Sequence, residues 1–395
     1  MRICIVYHGQ YPPEERIEKI AKSLSGAGHQ VFVLCHNRGG FLLSEEKLPY
    51  LYVIRMKPRF GSRKLNELIK FPIDFNPLWL AQIAWVVRRF RIQAIHVIDI
   101  PLSVASLAIG RAARIPVILD MWENYPEALR LWGQKSWRIR LIKNYRIARA
   151  VESFVVKHVD HIITVVEEQR ERLVAEGVEA GKISVVTNAV DWDLFAPTAV
   201  RTVTALDEDL QCYKLLYVGA VTAERGLDDI IRALPIAAQK IPNLRLYIAG
   251  GGNDEPRLRA LANREGATEL VRFLGWVPFA NIHAYVRKAD LCLVPHVYSV
   301  FINTTMPNKL FQYMISAKPV LVSNAKPLAR VVRECDCGFV FISGDPADAA
   351  AKIVAAYASR TDHHGERGRQ QVLQKYTWEK VAVDLLRMYA QMKSS

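Results

Sequence analysis

The chain has 395 residues, more than one ordinary hydrophobic core holds, so two or three domains are expected. Apolar residues make up 51% and charged residues 23%, a balance that excludes a disordered or collagen-like chain. The net charge of +14 is concentrated: positions 51–150 hold 18 Lys/Arg against 6 Asp/Glu, while the rest of the chain is close to neutral. A focused basic surface implies an anionic partner, whether nucleic acid, a phosphorylated substrate or anionic lipid.

Short β-branched strands alternate with helical periodicity from end to end, the pattern of α/β domains with parallel sheets. In chain order the first half reads as strands at 2–7, 29–35, 51–55, 94–98, 117–120, 161–165 and 183–186. A helix over 14–27 lies between the first two and stops at Gly28. In the second half strands recur at 213–219, 245–249, 271–274, 291–295, 320–323 and 339–342, with helices at 227–239, 255–265 and 281–288 between them. This predicts two doubly wound sheets: residues 1–195 as one Rossmann-like domain and 196–375 as another. A linker falls at 193–209, and a final helix within 376–395 crosses back to the first domain. Ligands of such sheets bind outside the carboxyl ends of the strands, so a cleft between the domains is the expected site.

The first residues, Met1 to Val6, form a strand pattern and lack the long apolar run of a signal peptide. The nearly uncharged stretch 100–110 is too short to span a bilayer. A cytoplasmic protein is expected, touching at most the inner face of the plasma membrane. Cys4 and Cys292 fall inside apolar strands, and Cys335-Asp336-Cys337 lacks the spacing of a zinc site.

Four segments of the second half carry chemistry. In the first, a strand ends at Gly219 and Arg225-Gly226 opens a helix, placing a guanidinium where it can clamp a diphosphate. In the second, Gly250-Gly251-Gly252 follows a buried strand and lets backbone approach a ligand. In the third, Trp276-Val277 follows Gly275, where backbone groups can read a nucleobase. The fourth is the block Thr304-Thr305-Met306-Pro307-Asn308-Lys309-Leu310-Phe311-Gln312. It offers hydroxyl and amide donors, one ammonium and the free N–H groups of a helix start. A plain capping role for Asn308 is the alternative reading there. All four lie at strand ends of one parallel sheet, within reach of a single nucleotide.

In this order the segments resemble the donor domain of glycosyltransferase family 4, retaining enzymes of the GT-B fold. The first half resembles the same family through Gly28-His29-Gln30-Val31, Asp120-Met121-Trp122-Glu123 and Asn188-Ala189-Val190-Asp191. The resemblance covers nearly the whole chain. It implies a nucleotide-diphosphate-sugar donor held by Gly219, Arg225, Gly250, Gly251, Trp276, Val277, Thr304, Thr305, Asn308, Lys309 and Gln312, with Gly9 contributing from the loop after the first strand. It also implies Arg225 and Lys309 as the catalytic cations, and Trp122 and Glu123 as the residues that position the acceptor.

The chain departs from the family at four places. Ala220 stands where the family has a diphosphate-binding cation, Thr304 and Gln312 stand where it has two glutamates, and Trp122 stands where it has a histidine. Gln312 can still hold ribose by neutral hydrogen bonds.

The expected function is transfer of a sugar to a hydroxyl, with retention, in assembly of a bacterial surface polysaccharide or glycolipid. No metal or other cofactor is expected, because Asp191-Trp192-Asp193 and Asp207-Glu208-Asp209 lie at the linker and supply too few converging oxygens. The acceptor is a glycan or lipid-linked glycan. An anionic membrane surface is a second expected partner, met by Arg55, Lys57, Arg59, Arg63, Lys64 and Lys70, the Trp-rich stretch 79–91, and the run Lys135, Arg138, Arg140, Lys143, Arg146 and Arg149 beside Trp132 and Trp137. No nucleic-acid module is evident. Two other readings of the same fold are a nucleotide-sugar epimerase and a non-catalytic nucleotide-sugar-binding partner.

Overall fold

The computed structural model describes residues 1–12, 14–37, 40–56, 76–132, 144–191, 206, 211–359 and 362–394. These divide into two compact units, Met1–Thr187 with Val381–Ser395, and Asn188–Lys380.

The first unit runs β1 (Arg2–Gln10), α1 (Glu15–Gly26), β2 (Gln30–His36), β3 (Glu45–Lys47), β4 (Tyr52–Met56), α2 (Pro77–Arg89) and β5 (Ala94–Ile98). It continues with α3 (Ser103–Ala113), β6 (Val117–Met121), α4 (Tyr125–Trp132), α5 (Tyr145–His158), β7 (His161–Thr164), α6 (Glu167–Ala175) and β8 (Ile183–Val185). Among the described residues the strands form one sheet in the order β3-β4-β2-β1-β5-β6-β7-β8. All neighbours are parallel except β3 and β4. β5 and β6 are buried at every residue, as strands with both faces covered must be. α1 buries Ile17, Ile20, Ala21 and Leu24, a spacing of three and four residues that makes one helical face.

The second unit runs β9 (Tyr213–Val218), α7 (Leu227–Ala238), β10 (Leu244–Ala249), α8 (Glu255–Arg264), β11 (Val271–Gly275), α9 (Phe279–Lys288) and β12 (Leu291–Val294). It continues with α10 (Asn308–Ile315), β13 (Val320–Ser323), α11 (Lys326–Cys335), β14 (Gly338–Phe341), α12 (Pro346–Ala358) and α13 (Asp362–Lys375). Its strands, all parallel, lie in the order β11-β10-β9-β12-β13-β14. In chain order that is 3-2-1-4-5-6, so the direction of winding reverses between β9 and β12. Crossovers leave a crevice at such a reversal, and ligands enter there. The first unit has the same reversal between β1 and β5.

The last helix, α14 (Trp378–Ser394), starts in the second unit and belongs to the first from Val381 onward. Trp378 N–H bonds to Val190 O at 2.9 Å at its start, and further along Tyr389 Oη lies 2.8 Å from His96 Nδ1 of β5.

Two features differ from the sequence reading. β1 continues three residues past Tyr7, through His8 and Gly9 to Gln10, with its pairing to β2 shifted between Val6 and Gln10. His8-Gly9 is therefore the irregular tip of a strand and not a loop. β3 was not expected, because its three charged residues (Glu-Glu-Lys) carry no apolar alternation; its pairing with β4 supplies what its composition lacks. The linker reading at 193–209 lies outside the described residues, Leu206 apart.

Candidate active site

The crevice of the second unit is built by backbone that only glycine allows. Gly226 has φ +66°, and a Cβ there would strike the carbonyl of Pro295. Its bareness lets the turn after β9 pack directly on the end of β12, where Val297 N–H bonds to Glu224 O at 3.1 Å. Gly219, at φ +130°, would carry a Cβ only 2.7 Å from Lys309 Nζ, so the missing side chain makes room for the ammonium. Tyr313 of α10 fixes the same strand end by accepting the Val218 N–H at 2.9 Å.

Three basic side chains converge at this point. Lys309 places Nζ 4.1 Å from the centre of the Tyr217 ring. Arg225 Nη1 lies 3.4 Å from Nε2 of His296, which is fully buried one residue beyond Pro295. Burial holds the Lys309 amine well below its ordinary pKa, and the Arg225 charge adds to the effect. Burial likewise depresses His296, with Lys309 and Arg225 pushing it further down. Among the described residues neither Arg225 nor Lys309 forms an ion pair with a carboxylate. Arg225 Nε, Thr222 Oγ1, Asn308 Oδ1 and His296 Nδ1 are buried without a hydrogen-bond partner. Buried polar atoms are ordinarily satisfied, and the unpaired Arg225 Nε–H is a charged donor beside His296 and Lys309, an arrangement that can take an anion.

The remaining donor-side residues fall around this centre. Gly219, Gly250 and Gly275 stand at the ends of three adjacent strands, with Gly219 N–H bonding to Ala249 O at 2.9 Å and Gly250 bridged to Gly275. Gly251 and Trp276 are exposed, Trp276 at 77%, and Val277 is half-buried. Thr304 Oγ1 turns back onto the carbonyls of Val300 and Phe301 at 3.0 Å each, closing a helical turn. Thr305 is half-buried and Gln312 is buried on α10. Asn308 does not cap α10: Pro307 occupies the capping position and Asn308 is the first helical residue. Gly9 belongs to the first unit and lies in β1.

In the first unit the acceptor-side residues sit past the end of β6. The buried Asp120 pairs with Arg16 at 3.0 Å and with His96 Nε2 at 3.3 Å, and accepts the Trp122 indole N–H at 2.8 Å. Burial pushes this carboxylate up, but Arg16 and His96 outweigh burial and hold it below the usual range. The Trp122 indole N–H is thus committed inward, and its ring lies 5.9 Å from the Arg16 guanidinium and 5.8 Å from the Tyr7 ring. Asp99, after β5 and in a left-handed conformation at φ +56°, accepts the backbone N–H of Trp122 at 2.8 Å and of Glu123 at 3.4 Å. Burial, reinforced by the Glu123 charge, raises Asp99 well above an ordinary carboxylate. Sequence reasoning missed both Asp99 and His296. Each is one polar residue just past a buried strand at a winding reversal, and that position is the signal that could have found them.

The basic surface is smaller than the composition suggested. Arg55 is buried and spends its guanidinium on Tyr11 O, Leu43 O and Glu46. Arg149 pairs with Glu152 and Glu176, both at 2.6 Å, and Trp79 is 1% exposed. Composition counts charges without showing which ones are neutralised inside the fold. Lys57, Arg59, Arg63, Lys64, Lys70, Lys135, Trp137, Arg138, Arg140 and Lys143 lie outside the described residues, as do Trp192, Asp193, Asp207, Glu208 and Asp209. No helix among the described residues is long and apolar enough to cross a membrane.

Two α/β units of this kind constitute the GT-B fold. Sucrose-phosphate synthase from Thermosynechococcus elongatus superposes with a TM-score of 0.79 at 17% identity over 100% of this chain and 99% of its own. Anabaena HepE in complex with UDP-glucose superposes with a TM-score of 0.72 at 15% identity over 99% and 100%. Residues 212–359 match the family described as "Glycosyl transferases group 1", and residues 13–189 match the "Glycosyl transferase 4-like domain". The chain belongs to the group 1 glycosyltransferases. It is 25% identical over 312 residues to the glycogen synthase of Mycobacterium tuberculosis, spanning 78% of this chain and 70% of that one. It is 30% identical over 185 residues to the phosphatidyl-myo-inositol mannosyltransferase of Mycobacterium leprae, spanning 46% and 47%. These relatives favour sugar transfer over the epimerase and non-catalytic readings.

Proposed function

We propose that this glycosyltransferase takes its sugar from a nucleotide diphosphate donor and delivers it to a hydroxyl, with retention of anomeric configuration and without a metal ion. The observation that carries the reading is the placement of Arg225 and Lys309 at the winding reversal of the second unit, with no carboxylate paired to either among the described residues. Negative charge grows on the departing diphosphate as the glycosidic bond breaks, and fixed cations in a dry crevice stabilise it without reorganising. Asn308 and the N–H groups that open α10 would add to this. Gln312 would hold the ribose, and the chain around Gly275, Trp276 and Val277 the base. The UDP and UDP-glucose complexes of HepE support a nucleoside diphosphate as the leaving group. Retention rests on the family resemblance.

On the acceptor side, Trp122 would stack on the sugar and Glu123 would orient the attacking hydroxyl. The phosphatidyl-myo-inositol mannosyltransferase among the relatives supports an acceptor carried on lipid, as in assembly of a surface polysaccharide or glycolipid. At the end of α2, Trp85 is 39% exposed with Arg89 stacked 5.0 Å from its ring centre, and Arg88 and Arg91 are exposed beside it. A tryptophan rimmed by arginines suits the headgroup region of an anionic membrane.

The test is incubation with a panel of UDP-, GDP-, ADP- and dTDP-sugars, with and without EDTA. Hydrolysis or transfer from one of them, unaffected by EDTA, is expected. Saturable nucleotide binding with no turnover from any would refute the reading.

A further inference from the structure

The contact between Arg225 and His296 fixes the state of a ring that has no assigned role. A guanidinium can only donate, so at 3.4 Å from Arg225 Nη1 the His296 Nε2 is the acceptor. The imidazole is then neutral and carries its proton on Nδ1. That N–H is buried in a side chain with no exposure, and it has no partner. Arg225 Nε, a second donor in the same cluster, is also buried and without a partner. Two such donors left unpaired in one place cost stability unless a ligand supplies acceptors. The backbone that carries the ring is fixed on both sides: Ser323 Oγ donates to the His296 carbonyl, Val297 N–H bonds to Glu224 O, and Gly226 packs against Pro295.

We propose that His296 is a donor-binding residue, giving its Nδ1–H to a diphosphate oxygen while Arg225 holds its Nε2. The assignment rests on the nucleotide-diphosphate reading above. It adds a neutral hydrogen-bond donor to the two cations, and it makes Arg225 both a ligand contact and the group that sets the histidine tautomer.

Two substitutions separate the two ring nitrogens. In His296→Asn the amide N–H falls near the position of Nδ1; in His296→Gln the amide oxygen can replace Nε2 as the acceptor from Arg225, and the Nδ1 donor is lost. Titration with UDP, GDP, ADP and dTDP and with the matching nucleosides is the measurement, with the thermal midpoint of each variant checking the fold. The Gln variant should lose about 10- to 100-fold in diphosphate affinity, the effect of one hydrogen bond to a charged acceptor, with nucleoside binding unchanged. The Asn variant should recover most of that loss. Equal effects on diphosphate and nucleoside, or no loss in the Gln variant, would overturn the assignment. Failure of the unmodified chain to bind any of the four diphosphates would instead overturn the donor reading itself. Should both variants unfold, the ¹⁵N-imidazole spectrum of the unmodified chain decides. A neutral ring protonated on Nδ1 should shift with the diphosphate and not with the nucleoside; absence of such a ring refutes the proposal.

Discussion

Replacing Arg225 by alanine tests how the second unit holds its ligand. Opposite unit charges about 4 Å apart attract by about 4 kcal/mol at an effective dielectric constant of about 20. The gain is smaller in the complex because Arg225 also repels the Lys309 ammonium, and its removal lets Lys309 keep its proton more firmly. Hydrogen bonds to charged groups contribute about 1.5–3 kcal/mol. A net loss of about 2–3 kcal/mol is therefore expected, which is roughly a 30- to 150-fold weaker dissociation constant for the nucleoside diphosphate. The matching nucleoside has no phosphate to lose and should bind Arg225→Ala as it binds the parent. Isothermal titration of both ligands against both proteins gives the four constants required. An equal loss for nucleoside and diphosphate would mean that Arg225 shapes the base or ribose pocket, and the clamp reasoning would be wrong.

Burial and the Arg225 charge lower the Lys309 pKa in the free protein, and a bound anion raises it again by pairing with the ammonium. Diphosphate affinity should then fall as pH rises between the free and bound pKa of Lys309, and Lys309→Met should flatten that slope in titrations across pH 6–10, a range chosen to bracket the depressed amine below its usual value of about 10.4. In Gly226→Ala the new methyl meets the Pro295 carbonyl at a left-handed backbone, so unfolding in urea should show a loss of about 1–3 kcal/mol, with diphosphate affinity falling as Arg225 and His296 separate. Asp120→Ala removes the carboxylate that buried Arg16 and His96 both face and should destabilise by about 3–5 kcal/mol in the same assay. The Asp120 pKa is depressed in the folded state, so its contribution is complete above the unfolded value of about 3.9 and is lost as pH falls through the folded one. Acid unfolding of the parent below about pH 4 should be blunted in Asp120→Ala, and an unchanged acid limb would show that the pair does not govern it.

Nearly all the sheet strands were legible because parallel strands buried on both faces are written as short apolar runs: Val117-Ile118-Leu119 and Val320-Leu321-Val322 could hardly be anything else. β3 was not legible, since its order comes from pairing with β4 and not from its own residues. Among the candidate site residues, Gly219 and Arg225 were legible as residue types after a strand end and Lys309 as a cation at a helix start, where position alone suggests chemistry. His296 and Asp99 were not, because a single polar residue after a strand looks like any other turn until the winding order shows which strand ends share a crevice. The basic surface misled in the opposite direction. Arg55 and Arg149 count as charges in a sum, yet their guanidinium groups are spent on carbonyls and carboxylates within the first unit.

The most direct test is a crystal structure with the tightest-binding nucleoside diphosphate in place. Its phosphates should lie between the ends of β9 and β12, within hydrogen-bond distance of Arg225 and Lys309, with its ribose toward Gln312. Phosphates bound elsewhere, with the Arg225–His296–Lys309 cluster making no contact to them, would contradict that placement.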